Sequence, residues 1–191
     1  MNKSPGIGFS RLFFTFGAVM IPEIQHISRQ DIPVLVQIIN ESYRNDAEGA
    51  WTTEAHLFGE GGKRIDVQEL EDFRTQPDNH ILKYEKEGIV LGTVSLTEKD
   101  DNLYLGTLAV SPQSQGSGIG KKLLTAAKEL AREKEKKQIT LTVISARKEL
   151  IEWYERLGFK KTGNITPFPQ EGLRLSTPVN KLYMEEMVLI I

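Results

Sequence analysis

The sequence predicts a mixed α/β domain, a single and mostly antiparallel sheet of six to seven strands flanked by about four helices. Three observations carry that expectation. Strand-like and helix-like segments follow the order β-α-α-β-β-β-α-β-α-β-β. Turn residues at Lys86-Glu87-Gly88 and at Lys99-Asp100-Asp101-Asn102 join consecutive strands as hairpins. One amphipathic helix crosses between the strands Leu103–Val110 and Ile139–Ile144, so the sheet mixes hairpins with a crossover.

Each element has its own signal. Glu23 to Ile27 alternates like a short strand, and Ser28 and Asp31 offer N-caps for a helix with Ile32, Leu35, Val36, Ile38 and Ile39 at helical spacing. From Asp46 to Lys63 the chain reads as loop with a weak helical turn, after which Asp66 caps a helix through Leu70 and Phe73 that stops before Pro77. The strands His80–Glu85, Ile89–Thr97 and Leu103–Val110 follow. The crossover helix then sets Ile119, Leu123, Leu124, Ala127, Leu130 and Ala131 on one face. After Ile139–Ile144, a helix from about Arg147 to Leu157 is closed by Gly158. The last strands start at Phe159 and span Leu182–Ile190, with a loop bearing Pro167, Pro169 and Pro178 between them.

Composition bounds the function. The 191 residues include no cysteine, which excludes a disulfide framework, thiolate metal sites, iron–sulfur clusters and a cysteine nucleophile. With 24 basic and 26 acidic side chains the net charge is −2, so gripping nucleic acid is not its main task. No apolar run reaches the roughly 18 residues of a membrane span. His26, His56 and His80 lie in no metal-ligand spacing, and no metal is assigned. Residues 1–20 stand apart: Lys3 and Arg11 precede the run Leu12 to Val19, which is faintly signal-like, yet no small-x-small cleavage site follows. They are read as a poorly ordered extension or a misassigned start, ahead of a domain over 21–191.

The segment richest in chemistry runs from Leu108-Ala109-Val110 through Gln115-Gly116-Ser117-Gly118-Ile119-Gly120-Lys121. A strand ends, a glycine-rich turn follows and a helix begins, which offers unpaired N–H groups and the positive end of a helix dipole to an anion. Lys121 and Lys122 add charge nearby. A dinucleotide fingerprint would need glycine at Lys121, and a P-loop would need glycine at Gln115 and Ser or Thr at Lys122, so both fail on spacing. Gln-x-x-Gly-x-Gly remains, over Gln115 to Gly120.

That motif after a Leu-Ala-Val strand resembles the signature of the GNAT superfamily of acyl-CoA-dependent N-acetyltransferases. Trp153-Tyr154-Glu155-Arg156-Leu157-Gly158-Phe159 is similar to the family's tyrosine-bearing helix that runs into Gly-Phe. The resemblance covers roughly Pro22 to the C-terminus and is sharp over residues 103–160. It implies acetyl transfer from acetyl-CoA to a primary amine, by direct attack through a tetrahedral intermediate. It further implies that Leu108, Ala109 and Val110 run beside the pantetheine arm, and that Gln115, Gly116, Ser117, Gly118, Ile119, Gly120 and Lys121 cradle the pyrophosphate. The strands Leu103–Val110 and Ile139–Ile144 would splay into a V to admit the thioester, and a backbone N–H near Leu108–Val110 would polarise its carbonyl. Tyr154 would be the general acid for the departing thiolate, the rival role being a core aromatic with Leu150, Ile151 and Leu157.

Two positions depart from the family. Arg147 stands where many members carry Asn, and Tyr104 where some carry a glutamate base. The base is left open among Glu41, Glu48, Glu54, His56 and water. Trp51 lines an acceptor pocket or packs under the first helices. The acceptor is a small-molecule or protein amine, with no nucleic-acid or membrane partner; a homodimer is left open, and a cytoplasmic setting is expected, since nothing after Met20 looks secreted. Two rival functions stand beside the enzyme: a non-catalytic acyl-CoA sensor or interaction module on the same fold, and an unrelated phosphate-binding α/β protein.

Overall fold

The structure is a computed structural model, and it describes residues 21–44, 51–58, 62–169, 178 and 180–191. The expected extension over residues 1–20 and the candidate base Glu48 lie outside the described residues. Among the described residues seven strands form one sheet, β1 (Ile24–His26), β2 (Asn79–Lys86), β3 (Ile89–Lys99), β4 (Asn102–Val110), β5 (Gln138–Ile144), β6 (Lys160–Pro167) and β7 (Tyr183–Ile190). Their order is β1-β2-β3-β4-β5-β7-β6. The helices are α1 (Ile32–Arg44), α2 (Val67–Thr75), α3 (Ile119–Glu133) and α4 (Lys148–Arg156). The predicted mixed fold is therefore present, with every pairing antiparallel except β4 with β5, which the crossover through α3 makes parallel.

Local signals account for most element ends. Asp66 and Glu69 cap α2 reciprocally: Glu69 N–H donates to Asp66 Oδ1 at 2.8 Å, and Asp66 N–H to Glu69 Oε2 at 2.9 Å. The β2–β3 hairpin turns on Glu87 at φ 54° and Gly88 at φ 79°, a pair of left-handed residues that suits the twist of its strands. Ser28 caps a 3₁₀ turn over Arg29–Asp31 rather than α1 itself, and α1 continues directly from it. Of the segment expected as a loop with a weak turn, the described residues 51–58, 62 and 63 contain one 3₁₀ turn, Ala55–Leu57.

The core has two layers. On one face Leu123, Leu124, Ala127 and Leu130 of α3 pack on Leu82, Val94, Leu96 and Leu105 of the sheet. On the other, Leu35, Ile38 and Ile39 of α1 pack with Leu70 of α2 and Ile81. β4 serves both layers through its alternation, with Leu108 and Val110 in the first cluster and Ala109 in the second.

The feature that shapes the site lies in the middle of β4. Ser95 pairs with Thr107 and Leu96 with Leu105, so Gly106 is an extra residue, a β-bulge. The parallel pairing of β4 with β5 begins at Asn102–Gln138 and ends at Leu105–Leu141, one residue before the bulge. Beyond it the two strands part, and the expected V-shaped opening is the consequence.

Candidate active site

Where β5 leaves, β4 has backbone groups with no strand to pair. Ser111 N–H donates to Leu91 O at 2.9 Å, so by alternation the polar groups of Ala109 face β3 while those of Leu108 and Val110 face the opening. The C-terminal turn of α1 fills that edge with hydroxyls. Tyr43 accepts from Leu108 N–H at 3.3 Å and donates to Leu108 O at 3.2 Å. Ser42 Oγ lies 2.7 Å from Val110 O and 2.6 Å from Ile38 O. Burial pushes the Tyr43 phenol above its ordinary range, so the hydroxyl stays protonated.

On the α3 side of the opening lies a cavity of about 400 Å³. Leu108, Val110, Gln115, Gly116, Gly118, Ile119, Gly120 and Lys121 line it, together with Tyr154. Gly116 and Gly118 have φ of 78° and 85°, left-handed conformations that glycine adopts without strain, and a Cβ at either would meet nothing within 4 Å. Gly118 is the N-cap of α3, and the first helical bond comes from Lys122 N to Gly118 O at 3.1 Å. The N–H groups of Ile119, Gly120 and Lys121 precede that bond and are left for an external acceptor. The loop, its room and Lys121 with Arg156 fit a phosphate group.

Tyr154, in the last turn of α4, is 5% exposed and packs edge-on against Trp153 and Phe159 at 4.9 and 5.3 Å. It is thus a core aromatic by packing, yet it also lines the cavity. Burial is the largest influence on its phenol and pushes it well above the ordinary range. No hydrogen bond to its hydroxyl is formed among the described residues.

A smaller cavity of about 60 Å³ opens on the far side of the splay, lined by Gly106, Thr142, Ile144, Glu54 and Arg64. Tyr43, Leu108, Arg147, Leu150 and Tyr154 line both cavities, so the two meet at these residues. Glu54, 5% exposed, pairs with Arg44 and, at 3.6 Å, with Arg147. Arg147 also donates to Thr52 Oγ1 and to Glu149 Oε1, the latter at 3.2 Å, and Thr52 Oγ1 donates to Glu149 at 2.9 Å. The Thr52 N–H donates to Gln115 Oε1 at 3.2 Å, which ties this network to the glycine-rich turn.

The remaining expectations sort by position. Ala109 and Ser117 do not line the large cavity; Ala109 packs toward α1, and Ser117 donates to Ser114 O at 2.5 Å. Lys122 is a correction: it turns to the Tyr84 hydroxyl at 3.3 Å and to Glu23 at 3.5 Å, away from the turn. Among the candidate bases, Glu54 lines the small cavity, whereas Glu41 accepts from Gln37 at 2.7 Å on the helix surface and His56 is exposed. Trp51, 46% exposed, does not pack under the first helices; it lines the large cavity, 6.2 Å from Trp153. Tyr104 bonds with Thr142 at 2.9 Å across the splaying strands.

Sequence reasoning missed Ser42, Tyr43, Arg64 and Arg156 as lining residues, and met Arg147 only as a departure. The available signal was Arg147 itself: a cation at the start of an amphipathic helix, where it opposes the helix dipole, needs a carboxylate nearby. Among the described residues no group of three His, Asp or Glu side chains is placed to hold a metal, and no helix is long and apolar enough to cross a membrane.

The family model for the acetyltransferase (GNAT) domain matches residues 39–176. A Xenopus laevis protein named Probable N-acetyltransferase camello is 27% identical over 113 residues, 57% of this chain and 52% of that protein. The match thus spans about half the length of this curated relative. The ribosomal-protein-alanine N-acetyltransferase of Brucella melitensis shares the fold at a TM-score of 0.65 and 20% identity, covering 88% of this chain and 99% of that one. The PaiA N-acetyltransferase of Thermoplasma acidophilum, solved in complex with coenzyme A, gives a TM-score of 0.65 at 20% identity, covering 85% of this chain and 96% of that one.

Proposed function

Because the chain belongs to the GNAT acetyltransferase family, we propose that it transfers an acetyl group from acetyl-CoA to a primary amine. The observation that carries this is the meeting of two cavities at an open strand edge, one beside the glycine-rich turn at the start of α3 and one beside a buried carboxylate. The coenzyme A in a structural neighbour supports the choice of cosubstrate. Acetyl-CoA supplies the activated acyl group; the protein's own residues do the rest.

The turn from Gln115 to Lys121 would hold the pyrophosphate through the first-turn N–H groups of α3. Leu108 and Val110 would pair with the pantetheine amides as a neighbouring strand does, and the Leu108 N–H would stabilise the negative charge that develops on the acyl oxygen. Ala109 and Ser117 take part by shaping that strand and turn. Tyr154 donates a hydrogen bond to the departing thiolate. Its raised pKa keeps it protonated, and an alkyl thiolate of pKa about 8.5 gains from such a donor in a dry site. Glu54 lines the cavity in which the amine would sit, and we assign it the proton that an ammonium sheds before attack. A cytoplasmic location belongs to the same proposal, supported by dependence on an acyl donor made inside cells.

The test is release of free thiol from acetyl-CoA in the presence of a panel of primary amines. Amine-dependent release supports the proposal. Saturable CoA binding with no amine-dependent release would instead support the acyl-CoA sensor.

A further inference from the structure

The small cavity carries more charge than its ion pairs account for. Two arginines, Arg64 and Arg147, line it with one carboxylate, Glu54, while Arg44 and Glu149 pair with Glu54 and Arg147 from outside the lining. Glu54 is shared by Arg44 and Arg147, and Glu149 takes Arg147 again. Arg64 is left over. Its guanidinium lies over the Tyr43 ring, 5.5 Å from the centroid, and it lines the small cavity half-buried without a carboxylate partner among the described residues. Its position is held from behind, because Asn40 Oδ1 accepts from the Arg64 N–H at 2.6 Å and from the Ile65 N–H at 3.2 Å. Asn40 Nδ2 returns a bond to Ile65 O at 2.9 Å, so the backbone that carries Arg64 is fastened to α1.

A half-buried guanidinium on a fastened backbone, lining a small cavity, is poised for an anion, and bidentate pairing makes a carboxylate the favoured one. We infer that the acceptor is a small amine that also bears a carboxylate, as amino acids do, with Arg64 holding the carboxylate while the amine faces the Tyr43–Leu108 edge. This rests on the amine-acetylating activity proposed above. The cavity of about 60 Å³ favours a compact acceptor over a long side chain. Glu54 lines the same cavity, and its charge would repel the carboxylate and draw the ammonium, which favours the orientation with the carboxylate on Arg64.

The experiment compares matched acceptors, each an L-amino acid, its carboxamide and the amine lacking the acid group. For the wild type, kcat/KM for the amino acids is expected to exceed that of the neutral analogues by on the order of ten- to a hundredfold. Arg64→Gln should raise KM for the amino acids by a similar factor, well beyond any effect on the neutral acceptors, and leave kcat within a fewfold; Arg64→Lys should restore part of the loss. Calorimetric titration of the best amino acid into CoA-saturated protein should show the same loss of affinity in Arg64→Gln without any turnover. An unchanged CoA-induced rise in Tm certifies that the variant is folded. Equal use of acidic and neutral amines, or an Arg64→Gln effect of the same size on both, would overturn the inference while leaving acetyl transfer intact. Absence of transfer to every amine, with CoA still bound, would overturn the activity and the inference with it.

Discussion

The Tyr43 hydroxyl bonds to both backbone groups of Leu108, accepting from its N–H at 3.3 Å and donating to its carbonyl at 3.2 Å. A side chain thus does, at one residue, what β5 would do if the strands stayed paired. The same N–H is the one assigned to the acyl oxygen, so cofactor and hydroxyl compete for it.

Tyr43→Phe should therefore destabilise the free protein and strengthen its response to cofactor. One hydrogen bond lost at this half-buried edge costs about 1 kcal/mol, which is roughly 2–4 °C of Tm for a chain of this size. The acetyl-CoA-induced rise in Tm should be larger in the variant than in the wild type, since no hydroxyl has to leave. Equal rises would mean that cofactor does not reach Leu108.

The glycines of the turn should separate by conformation. Gly118, at φ 85°, pays about 1–2 kcal/mol on substitution by Ala through backbone strain alone. Gly120 is inside α3, and a Cβ there would meet the Trp153 ring at 3.5 Å, an ordinary contact. Gly120→Ala should be neutral or stabilising by up to about 1 kcal/mol, as helix propensity favours it. Gly118→Asp should erase most of the CoA-induced Tm rise by setting a carboxylate beside the phosphates. Denaturant unfolding with and without CoA checks all three.

Stability should also fall in mild acid because of His26. Burial, then the charges of His80 and Lys134, lower its pKa from 6.5 to about 4. The unfolded chain then binds a proton that the folded one refuses, so the contribution is full above pH 6.5 and is lost as pH falls toward 4. His26→Gln should flatten unfolding free energy against pH within that window. A slope identical to wild type would assign the acid sensitivity elsewhere.

Much of this was legible in the sequence, for physical reasons that differ by element. The hairpin at Glu87-Gly88, the Asp66 cap and the apolar face of α3 are local patterns, and the structure follows them. Gln115 to Lys121 could be read as a glycine-rich turn into a helix because strand, glycines and helix start are contiguous, and Gly118 is the N-cap of α3. The bulge at Gly106 was not visible, since an extra residue in a strand is defined only by its partner's register. Tyr43, Arg64 and Arg147 converge from three separate elements, and no spacing in the chain announces that convergence. Lys122 shows the converse error: adjacent to Lys121 in sequence, it lies a helical step of about 100° away and reaches Tyr84 instead.

The most direct test of the account is the steady-state kinetics of Tyr154→Phe. The substitution keeps the ring that packs on Trp153 and Phe159 and removes only the hydroxyl, which bonds to nothing among the described residues. If that hydroxyl serves the departing thiolate, kcat should fall on the order of 10²–10⁴-fold with little change in acetyl-CoA affinity or in Tm. A folded Tyr154→Phe enzyme that turns over at near wild-type rate would contradict the assignment and return Tyr154 to the core as a packing residue.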